Sequence, residues 1–420
     1  MRVGSMLMVV LAVAMQPRLV GAQQAAPEPG SAEKAAEPAT PAPATAAKQA
    51  PETELPRETP IENALERGPA STNAFGGYGE LTLNAPTNGP GVVDLRRFVL
   101  FFGHDFSPRL RFYSEVEVEH AVSSSTDQGE VEIEQAYLDG LLTRAFNLRG
   151  GLILMPMGII NVYHEPPSFN GVDRPDVDLY VIPTTWREPG FGIFGELAEG
   201  LLYQLYLVNG FNANGFGAGS GVLEGHQEAQ LAYAGDWGVI GRLDYEPVVG
   251  TALGVSAYGG TSGNSLTSRV GHVPVGMFDV DARLHRGGFT ARAELAWLLV
   301  GDAAALNQAL ASGTAEQQAA VPVSSQSRGG YAEVGYDLLR IVAPSSEQSV
   351  TSFARLDYAD TQAAVPAGFQ SQMQFRRVSV VAGLVYRPIP QVALKADYRY
   401  RWLGNGETFG EFASAITWLF

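Results

Sequence analysis

Strict alternation of apolar and polar side chains over ten or more positions is the feature that most restricts how this chain can fold. Residues 110–119 put five apolar or small side chains on one face, and an arginine, a tyrosine and three glutamates on the other. Residues 392–402 separate valine, leucine, alanine, tyrosine and tryptophan from one lysine, one aspartate and two arginines in the same way. A period of two is that of a β-strand, so both stretches are predicted strands with one apolar face and one polar, water-facing face. A soluble β-sandwich shows the same alternation, which leaves two fold classes open.

Segment length, connection length and aromatic placement separate those two classes. The alternating segments are about 10 to 13 residues long, which suits a tilted strand crossing a bilayer and exceeds the usual soluble strand. Connections are alternately short, as at 106–108, 286–287 and 388–390, and long, as at 158–188, 210–235 and 301–327. Tyrosine and tryptophan recur at segment ends, where a membrane interface favours them. We therefore predict an all-β chain that closes into an antiparallel transmembrane β-barrel.

Counting these segments predicts sixteen strands. Their predicted spans are 75–84, 92–103, 109–120, 129–140, 147–157, 189–199, 201–210, 236–246, 250–260, 274–285, 288–300, 328–338, 349–359, 373–386, 391–402 and 408–420. Residues 224–233 are assigned to a loop with a helical turn. An even number of strands places both ends of the barrel on one side of the membrane, which is consistent with periplasmic termini.

The first 72 residues differ in composition from the predicted barrel. Residues 1–22 combine an early arginine, an apolar run at 6–15 and small residues at 19–22, which is typical of a cleaved secretory signal. Residues 23–72 are rich in alanine, proline and glutamate and nearly free of aromatic residues. Such a segment cannot bury enough apolar surface to order itself, so we predict a disordered periplasmic extension. The predicted barrel domain is 73–420.

The end of the chain carries a second targeting pattern. Phe412, Ile416, Trp418 and the terminal Phe420 fall on one face of the last predicted strand. This pattern resembles the C-terminal signal of outer-membrane proteins, which the barrel assembly machinery reads. We therefore expect that machinery as a partner, and the outer membrane of a Gram-negative bacterium as the location.

Charge and cysteine content narrow the possible partners further. The formal net charge of −16 argues against nucleic acid, which would repel a chain of the same sign. Because the chain has no cysteine, backbone pairing and side-chain packing must hold the exported fold without disulfides.

Four motifs of the sequence resemble those of a known family. They lie at 93–98 (VDLRRF), 151–158 (GLILMPMG), 174–190, which includes IPTTWREPG, and 241–245 (GRLDY). On these residues the sequence resembles the phosphate-selective porin O/P family over roughly residues 75–420. The family's phosphate specialists are similar in using arginines with a lysine cluster, whereas Lys395 is the single lysine of the predicted barrel.

The resemblance implies a sixteen-stranded barrel, a homotrimer, and a long third outer loop that folds into the lumen as a constriction. It implies a passive diffusion channel for small hydrophilic solutes, with anions such as phosphate among the candidates, surrounded by outer-membrane lipid and lipopolysaccharide. No enzyme activity, catalytic residue, cofactor or metal site is expected, since the six histidines lack metal-ligand spacing. An envelope anchor and a loop-based hydrolase are the alternative functions.

Water-facing charges are unevenly distributed over the predicted strands. The third and fourth strands carry an acidic group: Glu115, Glu117, Glu119, Glu130, Glu132 and Glu134. The strands around the closing seam carry a basic group: Arg97, Arg377, Lys395, Arg399 and Arg401. One interpretation is a pair of opposed charged walls that select ions, because a narrow passage focuses the field. The other is that these charges only solvate the lumen and pair across strands.

The long connection at 158–188 is the predicted constriction. It would bring seven polar side chains to the lumen: His164, Glu165, Asp173, Arg174, Asp176, Asp178 and Arg187. Three aspartates, at 173, 176 and 178, could bind calcium through oxygen atoms, but the spacing lacks the glycine and distal glutamate of a dedicated loop.

Overall fold

The computed structural model describes residues 73–124 and 126–420. The predicted signal at 1–22 and the predicted extension at 23–72 therefore lie outside the described residues.

The described chain forms sixteen β-strands. They are β1 Asn73–Pro86, β2 Val92–Ser107, β3 Leu110–Glu119, β4 Val131–Leu141, β5 Asn147–Leu154, β6 Arg187–Ala198, β7 Leu201–Asn209, β8 Trp237–Val248, β9 Thr251–Ser262, β10 Val273–Arg286, β11 Phe289–Val300, β12 Gln326–Asp337, β13 Ser349–Ala364, β14 Arg376–Ile389, β15 Val392–Leu403 and β16 Thr408–Leu419. Each corresponds to one predicted segment, so the predicted strand number and order are confirmed. The predicted fifth strand is too long, because Pro156 cannot donate a ladder hydrogen bond and the chain leaves the wall after Leu154.

The strands pair antiparallel with their chain neighbours and close into one barrel, in which β1 pairs with both β2 and β16. At the seam, Gly77 N–H donates to the Phe420 carbonyl at 2.9 Å and Phe420 N–H donates to the Gly77 carbonyl at 2.8 Å. Closure removes free sheet edges, which is the condition for a β-structure whose outer face cannot hydrogen-bond to water.

The barrel wall is polar inside and apolar outside. On β10, Asp279 is fully buried while its neighbour Phe278 is 44% exposed. On β9, Ser256 is buried while Leu253 and Val255 are exposed. Burying charge and exposing large apolar side chains reverses the arrangement of a soluble protein. An apolar outer surface that runs around the wall requires a surrounding as apolar as itself.

Short helices occur only in the connections of the described chain. They are α1 Val177–Tyr180, α2 Thr267–Val270, α3 Ala303–Ala311, α4 Ala315–Ala319 and α5 Leu339–Val342. Five 3₁₀ turns accompany them: Pro166–Ser168, Ala213–Gly215, Leu223–Gly225, Asn264–Leu266 and Met373–Phe375. The predicted loop at 224–233 with a helical turn is thus confirmed. Among the described residues, every helix is too short or too polar to cross a bilayer.

The long connections pack an apolar core inside one end of the barrel. This core joins Met155, Ile160 and Trp186 of the 155–186 connection to Phe211 and Leu306 of two other long connections. Inward side chains of the wall complete it, including Tyr206, Ile240, Tyr258, Met277 and Leu298. Further along the same strands, towards the short turns, the inward residues become charged. The inward face of these strands is therefore apolar at one level and charged at the next.

Candidate functional site

The acidic group lines one sector of the lumen on β3 and β4. Glu115 and Glu117 are buried on β3, and Glu134 is fully buried on β4. The pairing register skips Glu134, because Glu115 opposes Gln135 and the next residue opposes Ile133. A bulge of this kind re-aims side chains. Here it leaves Glu134 and Gln135, which are adjacent in sequence, both buried.

A second bulge, on β2, adds one arginine to the basic side chains inside the barrel. On β2, Arg97 opposes Glu80 while Leu95 opposes Leu81, so the register skips Arg96. Arg97 lies 3.1 Å from Glu80 and 3.7 Å from Glu117. Arg96 also reaches the interior, where it contacts the 155–186 connection. Two consecutive arginine side chains therefore lie inside the barrel, whereas alternation alone predicted only Arg97 there.

The 155–186 connection is closed at its base. Met155 N–H donates to the Trp186 carbonyl at 2.8 Å, and Asn161 bonds to the backbone of both residues. Trp186 stacks on Phe211 with ring centroids 4.9 Å apart and meets Tyr258 edge-on at 5.1 Å. Gly158 adopts a φ of 68°, and a Cβ at this position would lie 2.5 Å from Glu294. The connection therefore leaves the wall as a defined, packed unit.

The aspartates of the connection pair with the basic group. Asp173 lies 3.4 Å from Arg399 and 2.8 Å from Arg96. Asp176 lies 2.6 Å from Arg401 and accepts a hydrogen bond from Ser379 at 2.9 Å. Burial alone would raise the pKa of Asp173, but the Arg399 and Arg96 guanidinium groups hold it below its ordinary value. These contacts tie the connection to β2, β14 and β15.

Lys395 binds the backbone of the same connection. Its ammonium group donates to the carbonyls of Pro166 at 2.6 Å and Gly171 at 2.9 Å, and it lies 4.0 Å from the centroid of the Phe169 ring. Lys395 is buried. Its charge is thus used to hold the connection and does not face open water.

The cationic side of the connection pairs with the acidic group. His164 Nε2 lies 2.9 Å from Glu134 and 2.7 Å from the Tyr78 hydroxyl. Burial favours the neutral imidazole, yet the Glu134 carboxylate outweighs burial and raises the pKa of His164 to about 9. Arg187, the first residue of β6, lies 2.5 Å from Glu132 and 2.9 Å from Glu228. The connection therefore pairs with Glu134 of the acidic group and with Arg399 and Arg401 of the basic group, contacts that neither interpretation of the sequence had foreseen.

Arg174 and Asp178 of the connection are buried, and no described residue of opposite charge lies at ion-pair distance from either. Arg174 donates to the hydroxyls of Thr184 and Thr185, and burial, followed by repulsion from Arg97, lowers its pKa to about 10. Asp178 lies on α1 with both carboxylate oxygens buried and without a hydrogen-bond donor. Burial, followed by repulsion from the Asp279 carboxylate, raises the pKa of Asp178 to about 8.

A cavity of about 210 Å³ lies between the connection and the seam of the barrel. It is lined by Glu80, Arg96, Arg97, Phe169, Asp173, Arg174, Leu179 and Thr184. Three arginines face two carboxylates, so the formal charge of the lining is +1 (3 − 2). This cavity adjoins the constriction residues named from the sequence, and it includes two of them.

The remaining predicted residues occupy varied positions. Glu119 and Glu165 are half-buried, and Glu130 is exposed just before β4. Arg377 stacks over the Tyr180 ring at 3.8 Å. The three aspartates of the calcium hypothesis lie in different surroundings, because Asp173 and Asp176 are held by different arginines and Asp178, within the described residues, by neither. Phe412, Ile416 and Trp418 share the outward face of β16, between the buried positions Ala413, Ala415 and Thr417, and Phe420 follows directly after the strand and is exposed.

Several lumen residues escaped sequence analysis. Tyr78 and Glu80 lie on the inward face of β1, and Arg355 of β13 donates to the carbonyls of Asp173 and Arg174. Alternation within β1 and β13 would have placed these side chains inside. Their partners lie far away along the chain, and no local pattern reveals them.

Comparison with known proteins extends these observations. The chain is 34% identical over 366 residues to an uncharacterized protein of Aquifex aeolicus, covering 84% of this chain and 83% of that one. No family model matches, so the resemblance to the phosphate-selective porin O/P family is not confirmed.

Three solved structures share the fold, and all are outer-membrane proteins. Salmonella typhi OmpF matches at a TM-score of 0.55 and 12% identity, covering 83% of this chain and 97% of OmpF. An anion-selective porin of Comamonas acidovorans matches at a TM-score of 0.55 and 10% identity, covering 84% of this chain and 100% of that porin. The outer-membrane channel DcaP of Acinetobacter baumannii matches at a TM-score of 0.54 and 12% identity, covering 83% of this chain and 97% of DcaP. Identities this low establish a porin-type barrel and nothing about solutes.

Proposed function

Because the chain belongs to the same family as the uncharacterized Aquifex aeolicus protein, and because its barrel is of the porin type, we propose that it is an outer-membrane porin. It would act as a passive diffusion channel for small hydrophilic solutes. The observation that carries this proposal is the inverted polarity of the closed wall, with charged side chains inside and apolar ones outside. A closed ring of strands satisfies its own backbone hydrogen bonds, so among β-structures only such a ring can present this surface to lipid.

The 155–186 connection would form the constriction. In support, its side chains and backbone contact inward residues of β1, β4, β11, β13, β14 and β15, which lie on several sides of the ring. Its apolar face joins the core while its charged face meets the seam strands. Solutes would therefore pass beside the connection, through the region of the cavity near β1 and β2.

Small anions, phosphate among them, are the solutes that we infer for this passage. Arg174 supports this inference, because its Nη2 is buried without a hydrogen-bond acceptor and its side chain lines the cavity. Arg399 and Arg401 contribute less, since Asp173 and Asp176 neutralise them. A fixed charge in a narrow, poorly solvated passage dominates ion preference.

Planar-bilayer recording tests both parts of this proposal. The folded protein should give stepwise conductance, and in a salt gradient its reversal potential should favour anions. Arg174→Gln should shift that potential towards cations. Arg144→Gln is the matched control, because Arg144 pairs with Glu196 at an exposed short turn. Conductance without a shift in Arg174→Gln would refute anion selection at Arg174 and leave the channel.

An envelope anchor is the rival function that one observation favours. The apolar core at one end of the lumen could seal the barrel completely. A sealed anchor would insert into bilayers without any conductance step. The homotrimer, the lipopolysaccharide contacts, the barrel assembly machinery as a partner and the periplasmic extension stay predictions from the sequence.

A further inference from the structure

The inner end of the 155–186 connection meets the acidic wall at a cluster of potential metal ligands. Glu115, Glu134 and His164 each offer a ligand atom, and these three atoms lie within 4.8 Å of one another. All three side chains are buried. We propose that this cluster binds a divalent transition-metal ion of the Zn²⁺ type, which would fix the connection to β3 and β4.

The chemistry of the donors fits such an ion. An imidazole nitrogen with carboxylate oxygens is a common zinc donor set, whereas calcium and magnesium take oxygen ligands only. Zinc bonds to these atoms at about 2.0–2.2 Å, so tetrahedral ligands lie roughly 3.4 Å apart. The three ligand atoms thus need to move by an ångström or so, which rotation of glutamate side chains allows. Tyr78, at 2.7 Å from His164 and 3.1 Å from Glu134, is placed to orient both.

Unsatisfied atoms within the cluster point independently to a ligand. Among the described residues, His164 Nδ1 is fully buried and has no hydrogen-bond partner. Glu134 Oε1 is also fully buried, and its one short contact is with His164 Nε2 at 2.9 Å. A buried polar atom without a partner is costly, and a coordinated cation would satisfy it.

The local charge balance also favours a cation. Four carboxylates, those of Glu80, Glu115, Glu117 and Glu134, are buried in this sector. Arg97 compensates Glu80 and Glu117, while the described residues that donate hydrogen bonds to Glu115 are the neutral Tyr113 and Gln135. A divalent ion would balance Glu115 and Glu134 together and would take the place of a proton on the imidazole. The β-bulge that turns Glu134 inward is what completes the cluster.

Zinc content of the folded full-length protein in detergent tests the proposal. We expect one Zn²⁺ per chain after dialysis against ZnCl₂, and binding weakened by more than about 10-fold in His164→Gln and in Glu134→Gln, since loss of even an outer-shell partner costs about 10- to 100-fold. His120→Gln is the matched control, because His120 makes an equally short contact, 2.8 Å to Asp94, at an exposed site. Glu119→Gln tests the neighbouring group of Glu117, Glu119 and Glu132.

Two readouts make the result decisive even if a variant folds poorly. Cu²⁺ bound to the unsubstituted protein should show hyperfine coupling to one imidazole nitrogen in electron paramagnetic resonance. No zinc in the unsubstituted protein, or loss of zinc in Glu119→Gln or His120→Gln with retention in His164→Gln, would overturn the proposal. Zinc is measured here without any current, so failure would leave the channel proposal untouched, and failure to conduct would leave the metal site untouched.

Discussion

The pair formed by Asp176 and Arg401 offers the sharpest test of how the 155–186 connection is held. The Asp176 carboxylate is fully buried and lies 2.6 Å from an Arg401 nitrogen, while Arg401 also donates to Ser379 at 3.0 Å. Asp176→Asn keeps the shape and the contact with Ser379 but leaves the Arg401 charge unpaired in a buried setting. Breaking a buried pair in this way costs about 3 kcal/mol, which is more than a hundredfold in the folding equilibrium.

A double-mutant cycle separates the pair from its surroundings. The free energies of unfolding of Asp176→Asn, Arg401→Gln and the double variant are measured by guanidinium titration in lipid vesicles. We expect a coupling energy of about 2 kcal/mol, since the hydrogen bond is charge-assisted and shielded from solvent. The surface pair of Arg144 and Glu196 is the control and should couple by less than about 1 kcal/mol. A coupling below about 0.5 kcal/mol for Asp176 and Arg401 would refute the view that this pair anchors the connection.

Two further changes test the same region. Asp178→Asn should gain stability over the unsubstituted protein as pH rises from about 4 to 8, because the folded state keeps a proton on Asp178 that the unfolded state releases. The positive charges of Arg174 and Arg355 reduce the rise in the pKa of Asp178, and the negative charge of Asp357 adds to it. If the difference in the free energy of unfolding between Asp178→Asn and the unsubstituted protein does not change with pH, the reasoning is contradicted. Trp186→Ala should lower the free energy of unfolding by about 3–5 kcal/mol through loss of its packing on Phe211 and Tyr258. A loss below about 1 kcal/mol in the same titration would show that the connection is not packed as described.

Period-two alternation was sufficient to predict the wall of this barrel. It located all sixteen strands, because a strand with one face towards lipid and the other towards water must alternate apolar and polar side chains with a period of two. The prediction was incomplete where the period breaks. The bulge on β2 brings Arg96 inside beside the predicted Arg97, and the bulge on β4 buries Gln135 beside the predicted Glu134. A single extra residue in a pairing register leaves no trace in composition.

The arrangement of charges could be predicted only in part. The acidic and basic groups were visible as neighbours on predicted strands, but their partners belong to the 155–186 connection. His164 is 86 residues from Tyr78 in the chain, and the two meet only because the barrel closes. Conversely, the close spacing of three aspartates suggested one shared site, whereas packing gives each a different surrounding.

The central claim is that water-soluble molecules pass through a lumen enclosed by lipid-facing strands. Swelling of liposomes that contain the folded protein tests it most directly, with uncharged sugars of increasing size in the outer solution. We predict swelling with the smallest solutes and a sharp decline with size, since the 155–186 connection is proposed to narrow the passage. Liposomes that carry correctly inserted barrels and do not swell with any solute would contradict the claim.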